Sequence, residues 1–484
     1  MSSQTANPKR IFRNFFLLFL SNVAGQVFYL AAIVHLARVF SPALFGLWNL
    51  GQAWMMYLFR GGEMGMEVIG IRSIAASAED TSARVASDAT TVRIVLACLL
   101  MLAMVFAVML GGFPAGSEQL ILIFSLAVFP MAIIYEWVFE AHQAVGIVGA
   151  ARLLKGILFA VPVLLLVRDA SGFHQAAWLY VASLSVVSLY VAMMAQRRYR
   201  LWPSRINWSA SWSMLREAFP IGMASVLSQY SLFVGTILAG YLTTPERVGF
   251  YTASHRLIIF IWAYGIVTSN RVVLPQLARM FTESEQLFAL FVKKYFRVLC
   301  VVAVPIAIAG VAGGPEIIRI LYGVRYAEGI PVFQILSIAL VIAVVRSVLE
   351  IGLIASHRQS LYMNGMIGLA VLYTVFTVAA FLLGDIAEVA WAAVLAELSY
   401  AVYLAAIFGS IRARDLAKLA MRPVLVGAGI LALLMIAGLR SLPIVISAGS
   451  ILYFGVLYAT GELSRGDFAL VLEFIGAKKT VPTL

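Results

Sequence analysis

Fourteen apolar runs of about membrane-spanning length follow one another along this chain, and few architectures accommodate that succession. We place them at 15–37, 46–69, 92–112, 119–139, 147–167, 175–195, 216–240, 248–270, 295–312, 330–353, 363–383, 386–408, 423–439 and 442–460. A helix of about 20 residues crosses the roughly 30 Å hydrocarbon layer. An unpaired backbone amide in lipid costs several kcal/mol, so the runs must form helices; they are too long and too continuously apolar for barrel strands. The first run follows Lys9, Arg10 and Arg13 but exceeds the apolar core of a secretory signal, and we read it as a retained helix. The expected fold is therefore all-α, a polytopic membrane protein with about 14 transmembrane helices.

Composition agrees. Of 484 residues, 62% are hydrophobic and 12% are charged, and the mean hydropathy is +0.95. Such a chain is neither a soluble globular domain nor a disordered segment, and its formal charge of +12 needs no nucleic-acid partner, because topology accounts for it. With the N-terminus inside, 26 of the 35 Lys and Arg fall in cytoplasmic segments, 6 in outer ones, and Arg60, Arg256 and Arg346 within spans. An error of one span would erase that bias, so both termini are expected in the cytoplasm. Cys98 and Cys300 lie inside apolar runs and read as small hydrophobes, without a disulfide. Five histidines without HExxH or CxxC spacing give no support for a metal, and we expect no cofactor.

Two stretches repeat at long separation. SPALFGLW at 41–48 and TPERVGFY at 244–251 share Pro, Gly four residues on and an aromatic two further, so Pro42, Gly46 and Trp48 map onto Pro245, Gly249 and Tyr251 at a constant offset of 203. A second echo pairs His142-Gln143 with His357-Arg358-Gln359. These repeats predict two pseudo-symmetric six-helix lobes, 1–205 and 206–410, with helices 13 and 14 and a cytoplasmic tail in 411–484.

HLARVFSPALFGLWNLGQAW and GGEMGMEVIGIRSIA, behind a basic N-terminus and a first span, resemble the polysaccharide-export, oligosaccharide-lipid flippases of the multidrug/oligosaccharidyl-lipid/polysaccharide (MOP) superfamily. The resemblance is strongest in the N-terminal half. It implies a V-shaped transporter in the bacterial inner membrane that moves an undecaprenyl-pyrophosphate-linked oligosaccharide repeat unit from the inner to the outer leaflet by alternating access. Membrane lipids, a coupling H+ or Na+ and a polysaccharide polymerase are the partners it implies, for O-antigen, capsule or exopolysaccharide synthesis.

Charges inside spans are costly and normally face a partner or a wet cavity, so they are the candidate site. Arg60, Glu63 and Glu67 share one face of span 2. Span 8 carries His255 and Arg256, span 10 carries Arg346 and Glu350 at i and i+4, and span 12 carries Glu397. On the functional reading, Arg60, Arg256 and Arg346 attract pyrophosphate and acidic sugars while Glu63 or Glu397 carries the coupling ion. On the structural reading, Arg60 pairs with Glu63 and Arg346 with Glu350, and His255 is a packing histidine. Two other function classes stay open. A cation-coupled multidrug exporter shares the superfamily fold, and a membrane polymerase or glycosyltransferase would need a long polar loop or a DxD motif, neither of which occurs.

Further features read structurally. Gly61, Gly62 and Gly65 permit close helix approach or a bend in span 2, Pro162 and Pro305 suggest kinks, and the basic run at 196–205 sits on anionic headgroups. FALVLEFIG, after Arg465-Gly466-Asp467, reads as a short surface helix.

Overall fold

The computed structural model describes residues 8–75, 79–201, 207–262, 268–439 and 441–462. The second half of the 196–205 run, the Arg465-Gly466-Asp467 triplet and the FALVLEFIG segment lie outside or partly outside the described residues. Among the described residues no strand occurs.

Helix α1 (Pro8–Val39) is followed by α2 (Pro42–Glu63), which starts as its sequence dictates: the Ser41 hydroxyl accepts the Leu44 N–H at 3.3 Å and Pro42 occupies the first turn. Span 2 then breaks. Met64 and Gly65 both take positive φ, 42° and 78°, and the chain restarts as α3 (Met66–Ala75), where a Glu63 carboxylate oxygen accepts the Glu67 N–H at 2.9 Å. The bend expected from the glycines of span 2 is therefore present, and Glu63 caps the helix beyond it.

Helix α4 (Glu79–Met109) precedes a broken span of three pieces: α5 (Glu118–Ser125), α6 (Val128–Ala132) and α7 (Glu136–Ala141). The chain leaves helical geometry at Ile133, so carbonyls beside that break lose their helical donors. Arg93 of α4, buried almost completely, replaces them by donating to the carbonyl oxygens of Met131 at 2.5 Å and Ile134 at 3.3 Å. Helices α8 (Val145–Leu166), α9 (Phe173–Tyr199) and α10 (Trp208–Leu242) follow. Arg152 of α8 ties the last piece of the broken span in place, reaching Glu136 at 3.0 Å and Glu140 at 2.9 Å. Residues 1–249 form one compact unit, in which α10 packs on α2, α3 and α4.

Residues 250–484 form the second unit. Its helices are the remainder of α11 (Pro245–Ile261), then α12 (Thr268–Glu283), α13 (Glu285–Ala312), α14 (Gly314–Tyr322), α15 (Gly329–Ala355), α16 (Gln359–Leu383), α17 (Ile386–Ile407), α18 (Ala413–Ile436) and α19 (Leu442–Ala459). Asp385 and Glu388 close a capping box at the start of α17. Short α14 lies between spans and had no counterpart among the apolar runs.

Among the described residues, twelve helical stretches are long and apolar enough to cross a membrane. Spans 2 and 8 are not among them: α2, with Asn49 and Gln52 in its middle, is less apolar, and the described part of α11 is 17 residues long. Large apolar side chains are exposed along these stretches. On α4, Leu102, Phe106 and Met109 are 67%, 62% and 80% exposed, a surface that only lipid would cover without cost.

The His-Gln echo has a structural basis, one residue out of step. After α7 the Ala144 N–H reaches back to the Phe139 carbonyl at 2.8 Å with Gln143 at φ 55°; after α15 the Arg358 N–H reaches the Leu353 carbonyl at 2.9 Å with His357 at φ 60°. Both are left-handed helix caps of one type. Gln143 and His357 hold equivalent places, and the two histidines do not correspond.

Candidate functional site

In the second unit the structure joins three of the predicted residues. Arg346 of α15 donates from Nη1 to Glu350 one turn on, from Nη2 to Glu397 Oε1 of α17 at 3.2 Å, and from Nε to Glu397 Oε2. Tyr373 of α16 donates its hydroxyl to Glu397 Oε1 at 2.9 Å. The Arg346 guanidinium also lies over the rings of Tyr400 at 4.9 Å and Trp262 at 5.8 Å. Arg346 and Glu397 are buried, so both faces and the edge of the guanidinium are spoken for. The cluster holds two carboxylates to one guanidinium. In low dielectric that imbalance is expensive unless one more positive charge joins it.

On α11, His255 is half-buried and stacks on Tyr251, ring centroids 5.5 Å apart, the packing role weighed for it above. Arg256 is half-buried beside it and acts electrostatically on Tyr322.

The first unit arranges its charges differently. Arg60 is half-buried near the end of α2 and does not pair with Glu63, whose carboxylate is turned to the start of α3. Among the described residues no carboxylate lies within ion-pairing distance of Arg60; its nearest polar neighbour is Gln229 Oε1 of α10 at 3.5 Å, and its guanidinium lies over Phe59. The five donors of that group are thus mostly unspent. One turn back, the Tyr57 hydroxyl donates to the Tyr230 carbonyl at 3.1 Å.

With this geometry in view, comparison with known proteins is decisive for the family. The profile described as "Polysaccharide biosynthesis protein" matches residues 11–281, more than half of the chain. The chain belongs to that family. Its fold is that of MOP superfamily transporters. It resembles lipid II flippase MurJ in an inward closed conformation with a TM-score of 0.76 at 13% identity, covering 93% of this chain and 100% of that one. A multidrug resistance MATE family transporter of the MOP superfamily, inward-facing, gives 0.63 at 15% identity over 82% of this chain and 96% of that one. A MOP superfamily transporter from Pyrococcus furiosus gives 0.56 at 14% identity over 85% and 95%. No curated protein gives a significant match.

Within this family fold, Arg93 and Lys155, both counted with the cytoplasmic segments, lie midway along their helices. Arg93 sits midway along α4 and serves the broken span. Lys155 sits at the centre of α8. Among the described residues its ammonium faces the Tyr180 ring at 5.7 Å and has no hydrogen-bond acceptor, since neighbouring Glu136 is taken by Arg152. Tyr29, whose hydroxyl exchanges hydrogen bonds with the Gln52 amide, lies against Tyr180 and Phe159. The only sequence signal for Lys155 was its place eight residues into a predicted span.

Proposed function

We propose that this chain is a flippase of the bacterial inner membrane that carries an undecaprenyl-pyrophosphate-linked oligosaccharide from the cytoplasmic to the outer leaflet. The observation that supports it most is that α2, within an apolar run of the chain, bears an arginine with no carboxylate in ion-pairing distance among the described residues, in a chain of the polysaccharide biosynthesis family. A guanidinium in a membrane span is retained only for a partner, and a pyrophosphate supplies what Arg60 lacks: several anionic oxygens in a geometry the planar donor fork matches. Lys155 provides a second unspent cation in the same unit, and Arg256 remains a candidate contact on α11.

Arg346, Glu350 and Glu397 fit a different role. Their cluster is closed on itself and short of one positive charge, which suits a bound proton or sodium ion better than an anionic headgroup. In this reading the cluster is where a cation gradient is coupled to alternation of the lobes 1–205 and 206–410, and Glu63, committed to a helix cap, is not the coupling group.

The test is a deletion strain complemented with Arg60→Ala, Arg60→Lys or the parent gene, with lipid-linked intermediates followed by mass spectrometry. Arg60→Ala should leave the repeat unit on the inner leaflet, and Arg60→Lys should restore part of the flux. Full export by Arg60→Ala would overturn the role of that residue. Export of cationic dyes with no effect on glycan lipids would replace the whole reading by that of a drug exporter.

A further inference from the structure

Three places in the first unit bring helices so close that only glycine fits. Gly25 of α1 meets Gly156 of α8: a Cβ on Gly25 would fall 2.6 Å from the Arg152 carbonyl oxygen, and one on Gly156 would fall 2.9 Å from the Gly25 Cα. Gly46 of α2 meets Gly249 of α11 reciprocally. A Cβ on Gly46 would lie 2.8 Å from the Gly249 nitrogen, and one on Gly249 would lie 2.7 Å from the Pro42 carbonyl carbon. At the other end of α2, a Cβ on Gly65 would lie 2.6 Å from the Ala218 oxygen, and one on Gly222 of α10 would lie 2.6 Å from the Met64 oxygen. In each case the obstacle is backbone, which cannot swing aside as a side chain does.

The three pairs differ in what they join. Gly25 and Gly156 both belong to the first half of the sequence repeat. The other two pairs join α2 to helices of the second half, one at each end of α2, and the pair Gly46–Gly249 consists of the repeated glycines themselves. Between these ends lie Tyr57, Arg60, Gln229 and Tyr230. With both termini cytoplasmic, Gly46 is at the outer end and Gly65 at the inner end.

We infer that Gly46–Gly249 and Gly65–Gly222 are the outer and inner gates of the transport path, each closed by backbone meeting backbone, and that they open in turn. Such a contact suits a gate in lipid. It carries no charge whose pairing must be undone, and the dispersion energy that holds it falls away steeply with a small separation. It also leaves no side chain across the opening when the helices part. Both contacts are made together here. The inference rests on the flippase reading for what passes through, but its test needs no substrate, so failure of one does not decide the other.

The experiment uses the full chain with Cys98→Ala and Cys300→Ala and a reporter, Tyr57→Cys, between the two contacts. It is labelled with a membrane-impermeant maleimide from outside in whole cells and from the cytoplasmic side in inverted vesicles. Gly249→Leu should raise outside labelling about tenfold and leave inside labelling unchanged, as for a minor open state promoted to a major one. Gly222→Leu should do the reverse. Gly25→Leu, a wedge of equal size within one half, should lower protein yield without altering sidedness. If the leucine variants do not accumulate, Gly249→Ala and Gly222→Ala are read in the same way, since their Cβ meets the same backbone atoms. Unchanged labelling in folded variants, or the same sidedness for both wedges, would overturn the assignment.

Discussion

Arg346 and Glu397 are 51 residues apart in sequence and share two N–H···O contacts, Nη2 to Oε1 at 3.2 Å and Nε to Oε2. This is the parallel fork in which guanidinium and carboxylate match best, and it locks α15 to α17 in the interior of the second unit. Glu350 takes the remaining edge of the same guanidinium. One arginine therefore organises two acids, and the consequences of removing a member depend on which member is removed.

Arg346→Ala strands two buried carboxylates together. We expect a loss of about 3–5 kcal/mol, the cost of uncompensated buried charge, seen as a sharp fall in yield and melting temperature in detergent. Glu397→Gln should be far milder. It keeps acceptors for Tyr373 and one arm of Arg346, and leaves Arg346 balanced one to one by Glu350. If the cluster binds the coupling cation, that variant folds but loses its dependence on the ion gradient. Equal destabilisation by both substitutions would contradict this charge accounting.

Arg93 supports a different prediction. It spans from α4 to two carbonyls of the broken stretch, and its removal leaves both without donors in a buried setting. Each unsatisfied carbonyl costs about 1–3 kcal/mol, so Arg93→Leu should destabilise by several kcal/mol despite its apolar replacement. Hydrogen exchange would localise the effect to residues 128–136. Uniform exchange across the unit would show that Arg93 acts elsewhere.

Much of this was legible in the sequence because lipid imposes one element and one length. Among the described residues the apolar runs fall on helices, span 2 broken in two and span 4 in three, and the i, i+4 spacing of Arg346 and Glu350 announces their contact. What escaped were groups whose meaning depends on a distant partner. Arg93 stands at the start of the run 92–112 and Lys155 eight residues into the run 147–167, and counting both as cytoplasmic overlooks that α4 begins at Glu79 with no breaker before Arg93, so the helix carries that residue well inside. Tyr373, Tyr400 and Trp262 read as ordinary apolar residues, since nothing local marks an aromatic ring that will face an ion. The Arg60–Glu63 pair suggested by spacing does not form, because the αL break at Met64 and Gly65 turns Glu63 toward the amides of α3.

The two left-handed caps give a prediction of opposite sign. Gln143 and His357 occupy positive φ at 55° and 60°, where a side chain costs about 1–2 kcal/mol relative to glycine. Gln143→Gly and His357→Gly should each stabilise the fold by about 1 kcal/mol and so raise the melting temperature, with transport retained. A loss of stability at position 357 would mean that the contact of its ring with Phe281 outweighs the backbone gain.

Lys155 sits at the centre of α8 with an aromatic face for company and no acceptor among the described residues. Desolvating an ammonium without hydrogen bonds opposes folding, so a residue kept there for stability alone would be a poor choice. Lys155→Met, which preserves length and flexibility, should therefore melt at the parent temperature or above it, while export of the lipid-linked glycan falls. Lys155→Arg should retain part of the flux, because a guanidinium serves the same anionic oxygens. The combination of greater stability with less transport is the signature of a side chain held for a ligand. Should Lys155→Met instead lower stability and leave export intact, the ammonium is a packing element stabilised by Tyr180, and Arg60 would stand as the cation of the first unit that meets the substrate.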